Sequence, residues 1–123
     1  MKYKVDKQEH YTVLTLDEPK LDSLIAPKLK SELIFLRQEG TRNLILDLSQ
    51  VSFVDSSGLS AILTGNRLWK EAGVFVIAGP LHPAVSKLIE ISRLDSVLVL
   101  IPTVSEAIDY VLMEEVEREL KAE

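Results

Sequence analysis

The sequence predicts an α/β fold: a mostly parallel sheet covered by helices, with an antiparallel hairpin at its N-terminal edge. Three observations predict it. Short apolar runs recur at 44–48 (broken only by Asp47), 74–78 and 97–101, the pattern of strands buried on both faces. Stretches with apolar residues at helical spacing separate and follow them. Ahead of all these, residues 3–16 alternate apolar and polar side chains around a polar break, which reads as two strands with one wet face. Strand–helix alternation after residue 25 implies parallel pairing through right-handed crossovers.

Each element has its own signal. Tyr3 and Val5 alternate with polar residues, Gln8-Glu9-His10 interrupt, and Tyr11 to Leu16 resumes. Glu18-Pro19-Lys20 ends the hairpin, and Leu21-Asp22-Ser23 is a short polar-tipped loop. Pro27 suits a first helical turn, where a missing N–H costs nothing. Leu29, Leu33 and Leu36 then repeat at helical spacing, and Gly40 is the stop. Asn43 to Leu48 is a buried strand. Leu59, Ile62, Leu63 and Leu68 mark a second helix over Leu59 to Lys70, ended near Gly73. Val74 to Ala78 is a strand, broken by Gly79-Pro80. Pro83 to Ile91 is a short amphipathic helix with Val85, Leu88 and Ile89 apolar, and Trp69 reads as a packing residue. Val97 to Ile101 is the last strand. Thr103-Val104-Ser105-Glu106 is a capping-box pattern, with threonine oxygen and glutamate each expected to take an N–H of the first turn. Ile108, Val111, Leu112, Val116 and Leu120 form the expected apolar face of the final helix, with Glu114, Glu115 and Glu117 mostly on the wet side.

Composition narrows the function. The chain has 123 residues, 46% of them hydrophobic, which suits one domain over 1–123 with a real core. The formal charge of −5 and the lack of a basic cluster disfavour direct nucleic-acid binding. There is no cysteine, so disulfides, thiolate metal sites and cysteine nucleophiles are excluded. No run approaches the roughly 18 apolar residues of a membrane span, and the first residues lack the apolar core of a signal peptide. A soluble, cytoplasmic monomer is expected.

Polar chemistry concentrates at Asp55-Ser56-Ser57-Gly58-Leu59, where a buried strand should turn into a helix. Such a junction exposes free N–H groups and the positive end of a helix dipole, which favours an anionic group. The plain reading is a helix cap. The functional reading makes one serine a phosphoacceptor or contact point, with one oxygen capping and the other free. Gly58 would keep the backbone open to a close partner. A serine hydrolase fits poorly: Asp55 stands where the nucleophile-elbow pattern has its first glycine, and only His10 and His82 could be bases. Two distant histidines offer no metal set of usual spacing; Asp22, Asp47 and Asp55 could approach one another at the carboxyl ends of strands, where clustered carboxylates can hold magnesium, as a minor alternative. No Walker-type phosphate loop is present, so no cofactor is expected.

The residues Leu44-Ile45-Leu46-Asp47-Leu48-Ser49, Val51, Phe53 and Val54-Asp55-Ser56-Ser57-Gly58-Leu59 resemble the signature of the STAS family, and more narrowly the bacterial anti-sigma factor antagonists. Leu21-Asp22 before Ala26-Pro27-Lys28-Leu29, Ala78-Gly79, and Pro102-Thr103 with Glu106-Ala107 extend the likeness over nearly the whole chain. The resemblance implies a mixed sheet with helices mainly on one face. It implies a non-enzymatic partner switch, in which an anti-sigma factor serine kinase phosphorylates Ser57 and a metal-dependent serine phosphatase reverses the change. It places Asp22, Ser23, Asp55, Ser56, Gly58 and Leu59 at the partner surface. Two departures stand out: Ser60 replaces a frequent second glycine, and Pro19-Lys20 replaces a glycine before Leu21-Asp22. An accessory STAS subunit of a transporter or lipid-trafficking complex, docking through the same surface without phosphorylation, is the alternative.

Overall fold

In the computed structural model, which describes residues 1–122, seven strands and four helices alternate along the chain. Strand β1 (Tyr3–Lys7) and β2 (Thr12–Leu16) form the expected antiparallel hairpin, with Val5 opposite Leu14. Its charged outer strand blunts the sheet edge against unwanted pairing. Helix α1 (Ala26–Gln38) then leads to β4 (Leu44–Asp47), and helix α2 (Ser56–Trp69) leads to β6 (Phe75–Ala78). Helix α3 (Pro83–Ile91) leads to β7 (Val99–Ile101), and α4 (Val104–Ala122) ends the described chain. The main sheet runs β1-β2-β4-β6-β7, with every pair after the hairpin parallel.

Alternation along β4 divides the interior. Leu44 and Leu46 face one side, packed with Leu29, Leu33, Ile62 and Ile89 of α1, α2 and α3. Ile45 faces the other side, packed with Val76, Ala107 and Val111 under α4. Three helices therefore cover one face and one covers the other, which is why the central strands are apolar on both sides. Trp69 is fully buried, stacks on Phe75 at 6.0 Å and donates its indole N–H to the Thr41 carbonyl at 3.0 Å. Gly40 ends α1 at φ +98, a conformation that costs glycine little.

The structure corrects the sequence reading in five places. A second, two-stranded parallel ladder joins β3 (Lys20–Leu21) to β5 (Phe53–Val54), where only loops were expected. Two-residue strands carry no periodicity to detect. Helix α2 starts at Ser56 rather than Leu59, because Asp55 is extended and caps it. The last strand starts at Val99 rather than Val97, since Leu94–Ser96 form a 3-10 turn whose Leu94 carbonyl accepts the Val97 and Leu98 N–H groups.

The fourth correction concerns the capping box of α4. Glu106 N–H donates to Thr103 Oγ1 at 3.1 Å, but the Glu106 carboxylate accepts the threonine hydroxyl at 3.0 Å rather than a backbone N–H. The fifth is the helix face. Ala107, Val111 and Glu115 point inward, while Leu112, Val116 and Leu120 are exposed. Glu115 is only 5% exposed because polar groups await it: Asn43 Nδ2 donates to Oε2 at 2.9 Å and Arg42 pairs with Oε1 at 2.7 Å, with His10 Nδ1 at 3.8 Å. One hydrogen bond and one ion pair hold this carboxylate inside, and the helix turns its more apolar stripe outward.

Candidate functional site

The minor β3–β5 ladder builds the site. Its register pairs Leu21 with Val54, so the next residues, Asp22 and Asp55, leave the same end of two adjacent parallel strands. Parallel neighbours lie about 4.8 Å apart, and the Asp55 N–H donates to the Leu21 carbonyl at 3.3 Å. Two segments far apart in sequence thus emerge side by side.

Each aspartate then folds its own segment. Asp22 Oδ1 accepts the N–H groups of Leu24 at 3.1 Å and Ile25 at 3.3 Å, and its carbonyl accepts Ala26 N–H at 2.7 Å. That turn directs the chain into α1. Asp55 Oδ1 accepts Gly58 N–H at 2.9 Å, and its carbonyl accepts Leu59 N–H at 3.0 Å. The carboxylate is the cap of α2. The expected division of labour between the serines is therefore replaced: Asp55 caps, and Ser56 and Ser57 both stand in the first turn with neither needed for it.

Ser56 is exposed and Ser57 is half-buried, at the surface rather than in the core. Together with Ser23, Pro27, Lys30 and Ser60 they line a shallow depression of about 300 Å³ between the starts of α1 and α2. Lys30 Nζ donates to Ser60 Oγ at 3.0 Å, linking the two helices. Ser60, the residue that departs from the glycine implied by the resemblance, thus has a defined partner. Lys30 was missed in the sequence because its importance comes from a contact 30 residues away.

Gly58 serves a different purpose from the one expected. It is buried, and a Cβ there would overlap the Leu21 carbonyl oxygen and lie 2.7 Å from Val54 Cγ1. The close neighbour that requires glycine is this chain's own backbone. Gly58 acts on the site by letting α2 close onto β3. Leu59 is half-buried and packs on the main core. Leu24 and Phe53, 75% and 47% exposed, are apolar side chains on the two segments that bear Asp22 and Asp55. Their exposure was not legible without the ladder.

The two histidines and the third aspartate singled out in the sequence lie elsewhere or are engaged in turns. His10 sits at the other end of the sheet, where its carbonyl accepts Asn43 Nδ2 just before β4 begins. His82 Nδ1 accepts the Ala84 N–H and caps α3. Asp47 Oδ1 accepts the Ser49 N–H at 2.9 Å, so each of Asp22, Asp47 and Asp55 is engaged in its own turn. Among the described residues no group of three potential metal ligands converges. A larger groove of about 570 Å³, lined in part by Arg67, Lys70, Tyr110 and Arg118, lies at the far end of α2 and contains none of the serines. Among the described residues, no helix is long and apolar enough to cross a membrane.

The sequence profile of the STAS domain matches residues 2–107. An anti-sigma factor antagonist from Mycobacterium paratuberculosis superposes with a TM-score of 0.75 at 28% identity, over 89% of this chain and 92% of that one. SpoIIAA, an anti-sigma factor antagonist in its unphosphorylated form, gives 0.76 at 23% identity over 89% and 96%. The phosphorylated form of SpoIIAA, from Bacillus, gives 0.69 at 24% over 89% and 99%. A sulfate transporter family protein from Wolinella succinogenes gives 0.70 at 16% over 82% and 84%. At the identities of these last two proteins the likeness is one of fold.

Proposed function

This chain belongs to the STAS family, and from that premise we propose that it is an anti-sigma factor antagonist that works by partner switching. The observation that supports this best is a serine in the first turn of α2 that its own fold leaves spare, because Asp55 has taken the capping role. In the unmodified state, Ser57 presents a neutral hydroxyl in the depression it shares with Ser56 and Ser23. Leu24 and Phe53 add apolar contact area on the same two segments. An anti-sigma factor binds this surface and releases its sigma factor.

The anti-sigma factor is also the kinase. Ser57 Oγ forms a bond to the γ-phosphorus of the ATP it holds, the bond to ADP breaks, and the hydroxyl proton passes to a base on the kinase. The product carries about −1.5 to −2 charge where a hydroxyl stood. A partner surface fitted to the hydroxyl now meets a bulky, solvated dianion, and affinity falls. A metal-dependent serine phosphatase restores the hydroxyl by hydrolysis. Nucleotide and metal belong to these partners; the chain itself has no catalytic role in the cycle.

Binding of wild type, Ser57→Ala and Ser57→Asp to the cognate anti-sigma factor tests this. Ser57→Ala should bind about as tightly as wild type, and Ser57→Asp at least tenfold more weakly. Equal affinity for all three would refute the switch. The Wolinella neighbour favours a second reading, docking to a transporter through the same surface without phosphorylation. Copurification with a transport protein and no phosphate on Ser57 would select it.

A further inference from the structure

We propose that Lys30 is an intramolecular counter-charge that holds the phosphoryl group of phosphorylated Ser57 at the surface of its own domain. This rests on Ser57 being the acceptor. The ammonium, rather than the helix end, carries the inference. Lys30 projects from α1 into the depression that Ser56, Ser57 and Ser60 line from α2. It is half-buried, and among the described residues it has no carboxylate within ion-pair distance. Its one side-chain partner is the Ser60 hydroxyl at 3.0 Å. An ammonium has three N–H donors, so two remain available.

The helix geometry sets the reach. Ser57 and Ser60 are three residues apart on α2, so their Cβ atoms are about 5–6 Å apart on one helix face. A group anchored on Ser60 Oγ is therefore within a side-chain swing of the oxygens that a phosphate would place beyond Ser57 Oγ. The cation sits on α1, so phosphate and ammonium would tie the two helices more firmly than the present Lys30–Ser60 bond does. Asp22 and Asp55, at the end of the β3–β5 ladder, oppose the new charge. Lys30 offsets them. The modified protein then keeps its fold, and the phosphate acts on the partner instead of on its host.

The test uses the full chain with phosphoserine installed at position 57 during synthesis, so that it does not depend on any kinase. The second ionisation of a phosphoserine lies near pH 6, and phosphorus NMR follows it. A neighbouring cation favours the dianion and lowers that value. The value should be lower in wild type and Lys30→Arg than in Lys30→Met by roughly half a unit or more. Asp22 and Asp55 are present in all three, so their effect cancels. Circular dichroism checks that each variant is folded, and Lys30→Gln replaces Lys30→Met if the latter is not. Identical titrations in the three proteins would overturn the role of Lys30. Separately, transfer of phosphate from the kinase to unmodified wild type reports on the acceptor itself. Its failure would strike at the switch and leave the titration result intact.

Discussion

Replacing Gly58 by alanine should destabilise the protein, although alanine is the better helix former. Inside a helix the exchange ordinarily gains about 0.5–1 kcal/mol. Here the added methyl would overlap the Leu21 carbonyl oxygen and stand 2.7 Å from Val54 Cγ1 and 3.0 Å from Leu21 Cγ. Carbon atoms pack best at about 3.5–4.0 Å, so the start of α2 must retreat by about 1 Å. The first obstacle is backbone held in the β3–β5 ladder, which cannot swing aside as a side chain would. Overpacking of this kind costs about 1–3 kcal/mol. A backbone obstacle puts the cost in the upper half of that range, so set against the helix gain the net loss is about 1–2.5 kcal/mol, or roughly 5 °C in melting temperature for a chain of this size. Urea and thermal unfolding followed by circular dichroism measure it. The same retreat shifts the first turn of α2, which carries Ser57, away from β3, so partner binding should weaken in the folded variant. An alanine variant as stable as wild type, or more so, would refute the close approach and with it the geometry of the site.

Three further outcomes follow from the structure. Asp55→Ala removes the cap of α2 and should cost about 1 kcal/mol in urea unfolding, with Asp55→Asn recovering most of it because the Gly58 N–H keeps an acceptor. Asn43→Ala strips partners from the His10 carbonyl at 2.7 Å, the Glu115 carboxylate at 2.9 Å and the Val74 N–H at 3.0 Å. About 1 kcal/mol for each bond puts the loss at about 2–4 kcal/mol, and Asn43→Leu should fail to restore it because the deficit is polar. Tyr110 has its pKa raised above the ordinary 10.0, first by burial and then by the Glu114 charge and hydrogen bond and by Glu117. The folded state therefore prefers the neutral phenol. That contribution is intact below pH 10 and is lost as pH rises through the raised value, so Tyr110→Phe should flatten the alkaline fall in stability measured by denaturation against pH.

The parts of the fold that were legible in the sequence are those where one physical pattern acts alone. Helix α3 has its expected ends because Pro83 opens it and Val85 and Ile89 supply a single apolar face. The strands at 44–47 and 75–78 are apolar runs, apart from Asp47 at the end of the first, and burial on both faces leaves little else for them to be. Legibility failed where two demands competed. In α4 the residues Leu112, Val116 and Leu120 make the more obvious stripe, yet a buried carboxylate with a buried amide and a half-exposed guanidinium as partners faces inward instead. Those partners, Asn43 and Arg42, lie some 70 residues earlier.

The site shows the same division. Asp55-Ser56-Ser57-Gly58 could be read locally as a strand-to-helix turn, and it is one. What could not be read was the tertiary context. The Leu21–Val54 register sets Asp22 beside Asp55, and the Leu21 carbonyl, not a partner, claims the space beside Gly58. Lys30 gains its place only when α1 lies along α2. Each of these is a contact between segments some 30 residues apart or more, carried by one or two side chains too few to leave a pattern.

The most direct measurement is a phosphate transfer reaction with ATP and the proposed partner, a kinase-type anti-sigma factor from the same cells, followed by mass spectrometry to locate the added group. The switch requires a single phosphate on Ser57 and none in Ser57→Ala, even though Ser23, Ser56 and Ser60 line the same depression. Phosphate carried by one of those three in the wild-type protein, or no transfer at all, would contradict it.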